Sequence, residues 1–289
     1  MDFEAEMTRP HIEFVQSQVI PFQQGLYGGA RPDIACRTLS RDDDTAATST
    51  VLRYPEGWHA TESHTLAADE EIFVLEGSLS INGQVYGKHF YGHLPKGYLR
   101  KDMSSVSGAV VLTFFSGVPV ATRAATSDWD MRRVVECLDT RAMAAAAGAR
   151  KHMNSGDWDP SGTVHKTLYV DPDTAERTWL IGMMPYWWSN KAEVHPVVEE
   201  EFAILGDICF PLGVMRAGGY FWRPPGIAHG PFATWGGALH LCRCKGGPFA
   251  TQWVETDGPN WNPPDKPILP EPYATWTKVA ADVNREPNY

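Results

Sequence analysis

The chain has 289 residues, of which 43% are hydrophobic, and it carries a formal net charge of −10. This acidic balance argues against a nucleic-acid-binding protein, and the absence of any run of about 20 apolar residues argues against a membrane span. The N-terminus lacks the pattern of a secretory signal, and the five cysteines are scattered and odd in number, so we expect a reducing, cytoplasmic location.

The sequence repeats itself with an offset of 129 residues. Residues 38–100 align with residues 167–229 without a gap, and 15 of the 63 aligned positions are identical. Typical composition would give about 4 identities by chance. The sequence therefore predicts two homologous modules.

Short strands separated by turns dominate both modules. In the first, the apolar run that begins at Glu70 ends in the hairpin turn Asn82-Gly83, and the second copy of this run begins at Glu199. Aromatic strands closed by Pro-x-Gly turns follow in each copy. Such spacing is typical of a β-sandwich or a small β-barrel.

The boundaries follow from the repeat and from composition. We expect an N-terminal segment over 1–35, barrels over 36–125 and 161–257, a linker over 126–160 and a tail over 258–289. The linker is rich in Ala, Arg and Leu, which predicts a partly helical segment. The tail is rich in Pro, so it should run extended over the surface, where it could cross a partner subunit.

Two spaced motifs in the second module carry the chemistry. They are Glu193-x-His195-x3-Glu199-x6-Gly206 and Gly218-x5-Pro224-x-Gly226-x2-His229. Together they resemble the two signature motifs of the cupin superfamily, and because both modules share the pattern, the chain resembles a bicupin. The resemblance implies an all-β fold of two tandem jelly-roll β-barrels, here with a short helical linker.

The resemblance also implies a divalent metal held by His195, Glu199 and His229. The sequence departs from the family pattern at Glu193, where a histidine is expected. Glu193 is either a further metal ligand or an acid/base group, and Glu201, which alternation places on the same face as Glu199, is a second candidate for proton transfer. Fe(II) is the favoured metal, with Mn(II) or Zn(II) as alternatives.

The first module lacks this ligand set. At the equivalent positions it has His64, Leu66 and Arg100, and only the glutamate Glu70 persists. We expect no ordinary metal site here and predict instead that Arg100 pairs with Glu70. A rearranged site that uses His59, His64 and Glu70 is the alternative.

Side chains near the motifs are candidates for substrate binding. Tyr186, Trp188 and Trp222 could line the mouth of an apolar pocket. Arg223 or Arg216 could supply a cation for a substrate carboxylate or phenolate.

Three functions are consistent with the sequence. The first is a non-haem iron dioxygenase that acts on a small aromatic or ketone-like substrate in the C-terminal barrel. The second is a non-redox metal-dependent isomerase, decarboxylase or lyase, in which the metal polarises a carbonyl. The third is a metal-binding sensor module. The expected partners are a small-molecule substrate and a second copy of the chain in a homodimer.

Overall fold

The computed structural model describes residues 9–26, 29–60, 62–151, 158–279 and 289, with residues 148–151, 158–161 and 279 described by their backbone alone. The described residues form two compact units. The first contains residues 9–10, 20–142 and 289, and the second contains residues 11–19 and 143–279. The expected N-terminal segment, 1–35, is therefore shared between the units, and its strand β1 (Ile12–Gln16) belongs to the second.

The first unit is an antiparallel β-sandwich. Its strands are β2 (Gln23–Gln24), β3 (Ala35–Arg41), β4 (Thr48–His59), β5 (His64–Leu66), β6 (Glu70–Gly77), β7 (Leu79–Ile81), β8 (Gln84–Tyr86), β9 (Phe90–Leu94), β10 (Met103–Phe115), β11 (Ala121–Arg123) and β12 (Val135–Asp139). The main sheet has the order β12-β9-β6-β10-β4-β3-β2, and β5 pairs with β11 in a smaller sheet.

The core of the first unit lies against the central strands β6, β10 and β4. Residues 70–75 of β6 and 109–115 of β10 are buried without alternation, because these strands lie inside the sheet and are covered on both faces. The buried cluster includes Leu52, Val74 and Val111. Burial of these apolar side chains stabilises the unit, since each one contributes about 1.5–3 kcal/mol relative to exposure.

The second unit has the same kind of architecture. Its strands after β1 are β13 (Ala146–Lys151), β14 (Trp158–Val170), β15 (Arg177–Met183), β16 (Trp188–Ser189), β17 (Lys191–Val194), β18 (Val198–Phe210), β19 (Gly213–Arg216), β20 (Gly219–Arg223), β21 (Phe232–Ala233), β22 (Ala238–Lys245) and β23 (Gln252–Glu255). The main sheet has the order β1-β20-β18-β22-β15-β14-β13, and β17 pairs with β23.

The 129-residue repeat is visible in equivalent contacts. Tyr91 donates a hydrogen bond to Glu71 at 2.8 Å, and the equivalent Tyr220 donates to Glu200 at 2.6 Å. A Cβ atom at Gly77 would lie 2.0 Å from the carbonyl oxygen of Gly108, and one at Gly206 would lie 1.9 Å from that of Gly237. Both repeat glycines also have positive φ, so other residues are excluded at these two sites. The predicted all-β jelly-roll fold is confirmed.

The predicted helical linker is wrong for the described part of 126–160. This segment contains one 3-10 turn (Met131–Arg133) and the strands β12 and β13. Strand β12 pairs with β9, and β13 pairs with β14. Helix propensities differ by only about a few tenths of a kcal/mol per residue. Backbone pairing at these sheet edges therefore outweighs the helix propensity of the alanine-rich run. Residues 152–157 lie outside the described residues.

The tail follows the prediction only in part. Residues 258–272 contain no helix or strand, apart from a single bridge between Ile268 and Glu13. A short helix, α1 (Tyr273–Val279), then begins directly after Pro272, a residue that suits the start of a helix because its φ is already helical. Residues 280–288 lie outside the described residues. No helix in the described part of the chain is long and apolar enough to span a membrane.

A buried ion-pair cluster lies in the core of the first unit. Arg100 donates from Nη2 to Glu70 Oε2 at 2.7 Å, which confirms the predicted pair, and Arg31 donates from Nη2 to the same oxygen at 3.0 Å. Arg31 also contacts the hydroxyl of Tyr54 at 2.8 Å. Burial raises the pKa of the Glu70 carboxyl, but the two guanidinium groups outweigh this effect and lower the pKa to about 2. Glu70 is therefore an anion, and its single negative charge compensates part of the positive charge of the two buried arginines.

We predict that Glu70→Gln strongly destabilises the first unit. The change leaves two buried guanidinium groups without their carboxylate, and breaking a buried ion pair from one side costs about 3–5 kcal/mol. The matched control is Glu62→Gln, which removes the partner of the exposed Arg123. We expect that control to cost about 1 kcal/mol or less. Urea unfolding followed by circular dichroism measures both, and equal midpoints for the two variants would contradict the prediction.

Candidate metal centre

Four predicted residues converge at one end of strands in the second unit. Glu193 lies on β17, His195 follows that strand directly, and Glu199 is near the start of β18. His229 is brought alongside by a two-way backbone bridge. The Glu193 N–H donates to the His229 carbonyl at 2.8 Å, and the His229 N–H donates to the Glu193 carbonyl at 3.0 Å.

The side chains of these residues meet in space. One donor atom from each of Glu193, His195 and His229 lies within 4.8 Å of the others, a separation that one metal ion can span. Nε2 of His195 is 3.4 Å from Glu193 Oε2 and 3.5 Å from Glu199 Oε1. Nε2 of His229 is 3.1 Å from Glu199 Oε2. Glu199 thus contacts both histidines beside the group of three.

The histidines are oriented for metal binding through Nε2. Nδ1 of His195 is 2.9 Å from the carbonyl oxygen of Ala250, and Nδ1 of His229 is 3.0 Å from that of Ile227. Because a carbonyl only accepts, each Nδ1 carries a proton, and Nε2 is the nitrogen that remains for a metal ion. This is how histidine ligands are usually fixed in metal sites.

The electrostatic environment of these residues also favours a bound cation. Nε2 of His195 is buried and has no hydrogen-bond partner within the described residues. Burial lowers the pKa of His195, but Glu199 and Glu193 outweigh this effect and raise it. The centre therefore stabilises positive charge, and its nitrogen and carboxylate donors match those of a divalent metal site.

Arg223 holds Glu199 in place and is not free for a substrate. It is buried, and its Nη1 donates to Glu199 Oε2 at 2.5 Å. Its Nε and Nη2 both donate to Glu13 on β1, the latter at 2.9 Å. Burial opposes ionisation of Glu199, but His195, His229 and Arg223 outweigh it, so the pKa lies well below the ordinary value. The sequence-based interpretation of Arg223 as a substrate-binding cation is therefore corrected.

Glu201 is held by two polar side chains on β22. Nδ1 of His240 is 2.8 Å from Glu201 Oε2, and the thiol of Cys242 donates to Oε1 at 3.1 Å. Burial raises the pKa of Cys242 well above its ordinary value, and Glu201 raises it further, so the thiol keeps its proton. Sequence reasoning missed His240. The signal was alternation, because residues 240, 242 and 244 share one face of the strand.

A cavity of about 440 Å³ opens beside these groups. It is mostly apolar and rich in aromatic rings, as small-molecule sites usually are. The lining residues are Thr163, His165, Arg177, Trp179, Ile181, Met183, Trp187, Glu193, Glu199, Glu201, Ile208, Phe210, Phe221, His229, Phe232, His240, Phe249, Ala250, Thr251 and Trp253. The two glutamates suggested for catalysis, Glu193 and Glu201, are thus both at the cavity wall.

The aromatic side chains proposed from sequence do not line this cavity. Tyr186 and Trp188 are 69% and 54% exposed. Trp222 is buried, but alternation along β20 turns it away, while its neighbour Phe221 lines the cavity. The aromatic wall comes instead from residues such as Trp179 and Phe249, which sequence reasoning did not select.

No comparable cluster forms in the described part of the first unit. Among the described residues, three metal-ligating side chains come within reach of one ion only at Glu193, His195 and His229. His59 is exposed, whereas Nδ1 of His64 lies 3.2 Å from the carbonyl oxygen of Glu62. Glu70 is taken up by Arg31 and Arg100. The alternative site at His59, His64 and Glu70 is therefore not assembled.

A family model described as "Domain of unknown function (DUF4437)" matches residues 23–249. The chain belongs to this family. No curated protein sequence matches the DUF4437 chain significantly.

Solved structures resemble the DUF4437 chain in fold. A "putative dioxygenase" from Nostoc punctiforme PCC 73102 aligns with a TM-score of 0.71 and 19% identity, over 83% of this chain and 87% of that one. An S161A mutant of Bacillus subtilis oxalate decarboxylase aligns at 0.51 and 11%, over 84% and 79%. Lactobacillus farciminis oxalate decarboxylase in complex with formate aligns at 0.51 and 9%, over 84% and 88%. At these identities the matches show the cupin fold alone.

We predict that His195→Ala and His229→Ala each remove bound metal and leave the fold intact. Each loses a nitrogen donor, whereas packing of the two β-sandwiches holds the structure. The control is His64→Ala, which removes the repeat equivalent of Glu193 in the first unit and should leave the metal content unchanged. Elemental analysis with circular dichroism measures both properties. Metal retained in both site variants, or lost in the control, would show that the centre lies elsewhere.

Proposed function

We propose that this DUF4437 protein is a metal-dependent enzyme of the cupin fold, and specifically a non-haem Fe(II) dioxygenase that acts in the second unit. The observation that carries the proposal is the pair of oriented histidines, His195 and His229, which meet the carboxylate of Glu193 at the wall of an apolar cavity. Two histidines and one carboxylate form the facial set that leaves coordination positions open on non-haem iron.

The metal is proposed from the donor set. Two imidazoles with one or two carboxylates suit Fe(II), and the same set accepts Mn(II) or Zn(II). Fe(II) is favoured because the Nostoc punctiforme protein, whose fold is similar, is described as a dioxygenase. That argument is one of fold analogy, and elemental analysis of the purified protein tests it.

The residues around the centre have separable roles. Bound Fe(II) would supply redox chemistry and open coordination positions for small molecules. Glu193, His195 and His229 would hold the ion, while Arg223 fixes the Glu199 carboxylate against both histidines. Glu201, hydrogen-bonded to His240, lies at the cavity wall, where it could accept or return a substrate proton. The aromatic walls exclude water from a small aromatic or ketone-like substrate.

The alternative is a non-redox reaction in the same cavity. The similar fold of the two oxalate decarboxylases favours a decarboxylase, isomerase or lyase, in which the metal acts as a Lewis acid. A metal-binding sensor module is the third candidate, and tight ligand binding without turnover would favour it.

The first unit is proposed to be a scaffolding cupin module without a metal. Its buried Glu70 is neutralised by arginines in place of histidines, so a bicupin with one working site is the arrangement that we infer. The cytoplasmic location, the homodimer and the small-molecule substrate remain predictions.

The test is oxygen consumption by protein loaded anaerobically with Fe(II). With a panel of phenols and diketones, we expect uptake by the Fe(II) form and none by a matched Zn(II) form. The His195→Ala variant controls for free iron, since it should consume no oxygen under the same conditions. Turnover of a substrate by the Zn(II) or Mn(II) form without oxygen would contradict the dioxygenase and support the non-redox alternative.

A further inference from the structure

One cation in the cavity wall forms no ion pair with a carboxylate of the described residues. Arg177 is the first residue of β15 and lines the cavity. Its guanidinium carbon lies 4.2 Å from the ring centre of Trp179 and 4.8 Å from that of Phe249. Its Nε is buried without a hydrogen-bond partner within the described residues, and no described acidic side chain forms an ion pair with it. The two rings therefore support the guanidinium, but they leave its charge open to the cavity.

Arg177 is half-buried, and two fully buried arginines of this unit differ from it in this respect. Arg223 binds Glu199 and Glu13, and Arg243 donates to Glu200 at 2.5 Å. The carboxylates near Arg177 are already engaged. Glu201 is held by His240 and Cys242, and Glu176 is bound by Lys245 at 3.0 Å. A partly desolvated cation without a counter-charge is costly, so a ligand anion would be bound favourably at this position.

The distance from Arg177 to the metal centre sets the size of that ligand. The ring of Phe249 lies near both, with its centre 4.8 Å from the guanidinium carbon and 4.3 Å from the His195 ring centre. The guanidinium is therefore no farther than about 9 Å from His195. A single small molecule can reach from one to the other through the apolar cavity.

We propose that the cavity takes a small aromatic carboxylate, with its carboxylate on Arg177 and its other end toward the metal centre. The planar fork of a guanidinium matches a carboxylate through two parallel hydrogen bonds. The aromatic and aliphatic walls contact the ring of the ligand. The orientation toward the metal rests on the proposed function, whereas the carboxylate site on Arg177 does not.

The test is calorimetric binding of matched acids and amides to metal-free protein. The probes are benzoate, phenylacetate and 3-phenylpropanoate, each compared with its primary amide, which has the same shape without the charge. Metal-free protein prevents the carboxylate from binding a metal ion instead. Because a charge-assisted hydrogen bond is stronger than a neutral one, we expect the best acid to bind about tenfold or more tightly than its amide.

Variants locate the effect. Arg177→Gln should abolish the preference for the acid, and Arg177→Lys should keep part of it, because the charge remains but the fork is lost. The matched control is Arg216→Gln. Arg216, the other candidate cation from the sequence, is exposed and does not line the cavity, so this variant should keep the full preference. Circular dichroism of each variant confirms that it is folded.

The outcomes separate this inference from the proposed function. Equal binding of acids and amides by the unmodified protein overturns the carboxylate site without any variant, and so does a preference that persists in Arg177→Gln. Elemental analysis of the same preparations, after incubation with Fe(II), reports on the metal. A protein that prefers acids but takes up no metal contradicts the proposed function and supports the inference, whereas the reverse result supports only the metal site.

Discussion

A buried carboxylate near the start of a central strand determines what each unit can hold. Glu70 and Glu199 occupy the same position of the 129-residue repeat, and both are buried. An isolated carboxylate at such a position would be very costly, so the surrounding residues must supply positive charge or lose the anion. In the first unit two arginines do this. In the second, Arg223 and two histidines surround the carboxylate.

The side chain that faces this carboxylate decides whether the position is a packed ion pair or a candidate metal site. Arg100 extends to Glu70 and occupies the space with its own guanidinium, whereas His229 at the equivalent position is shorter and rigid, with Nδ1 fixed by a backbone carbonyl. The first unit has Leu66 at the repeat position of His195, so it lacks the second imidazole as well. The backbone bridge that joins positions 64 and 100 is kept between 193 and 229. The same frame therefore supports an ion-pair core in one unit and a metal-binding geometry in the other.

Local patterns predicted what depends on short spacings and on the repeat. The resemblance of the two motifs to the cupin signatures predicted that His195 and His229 meet, and alternation placed Glu193 on the same face as His195. They did not predict Glu13, which reaches Arg223 from an N-terminal strand, because no local pattern encodes pairing between such distant segments. Nor did they predict Arg177 and His240, whose positions depend on the neighbours of β15 and β22 in the sheet. The linker helix failed for a related reason, since sheet-edge pairing outweighed the propensity of the alanine-rich run.

The arginines of the second unit show how the cavity can select its ligand. Arg223 and Arg243 neutralise carboxylates of the protein, so they fix the frame but offer nothing to a substrate. The Arg177 guanidinium packs on two aromatic rings and forms no ion pair with a described carboxylate, and a neutral ligand in the cavity would remove water from it without replacing the lost interaction. A buried polar group left unpaired discriminates more strongly than a lost apolar contact. Arg177 and the proposed metal centre lie at the same cavity, so a ligand whose carboxylate binds Arg177 would direct its other end toward the histidines.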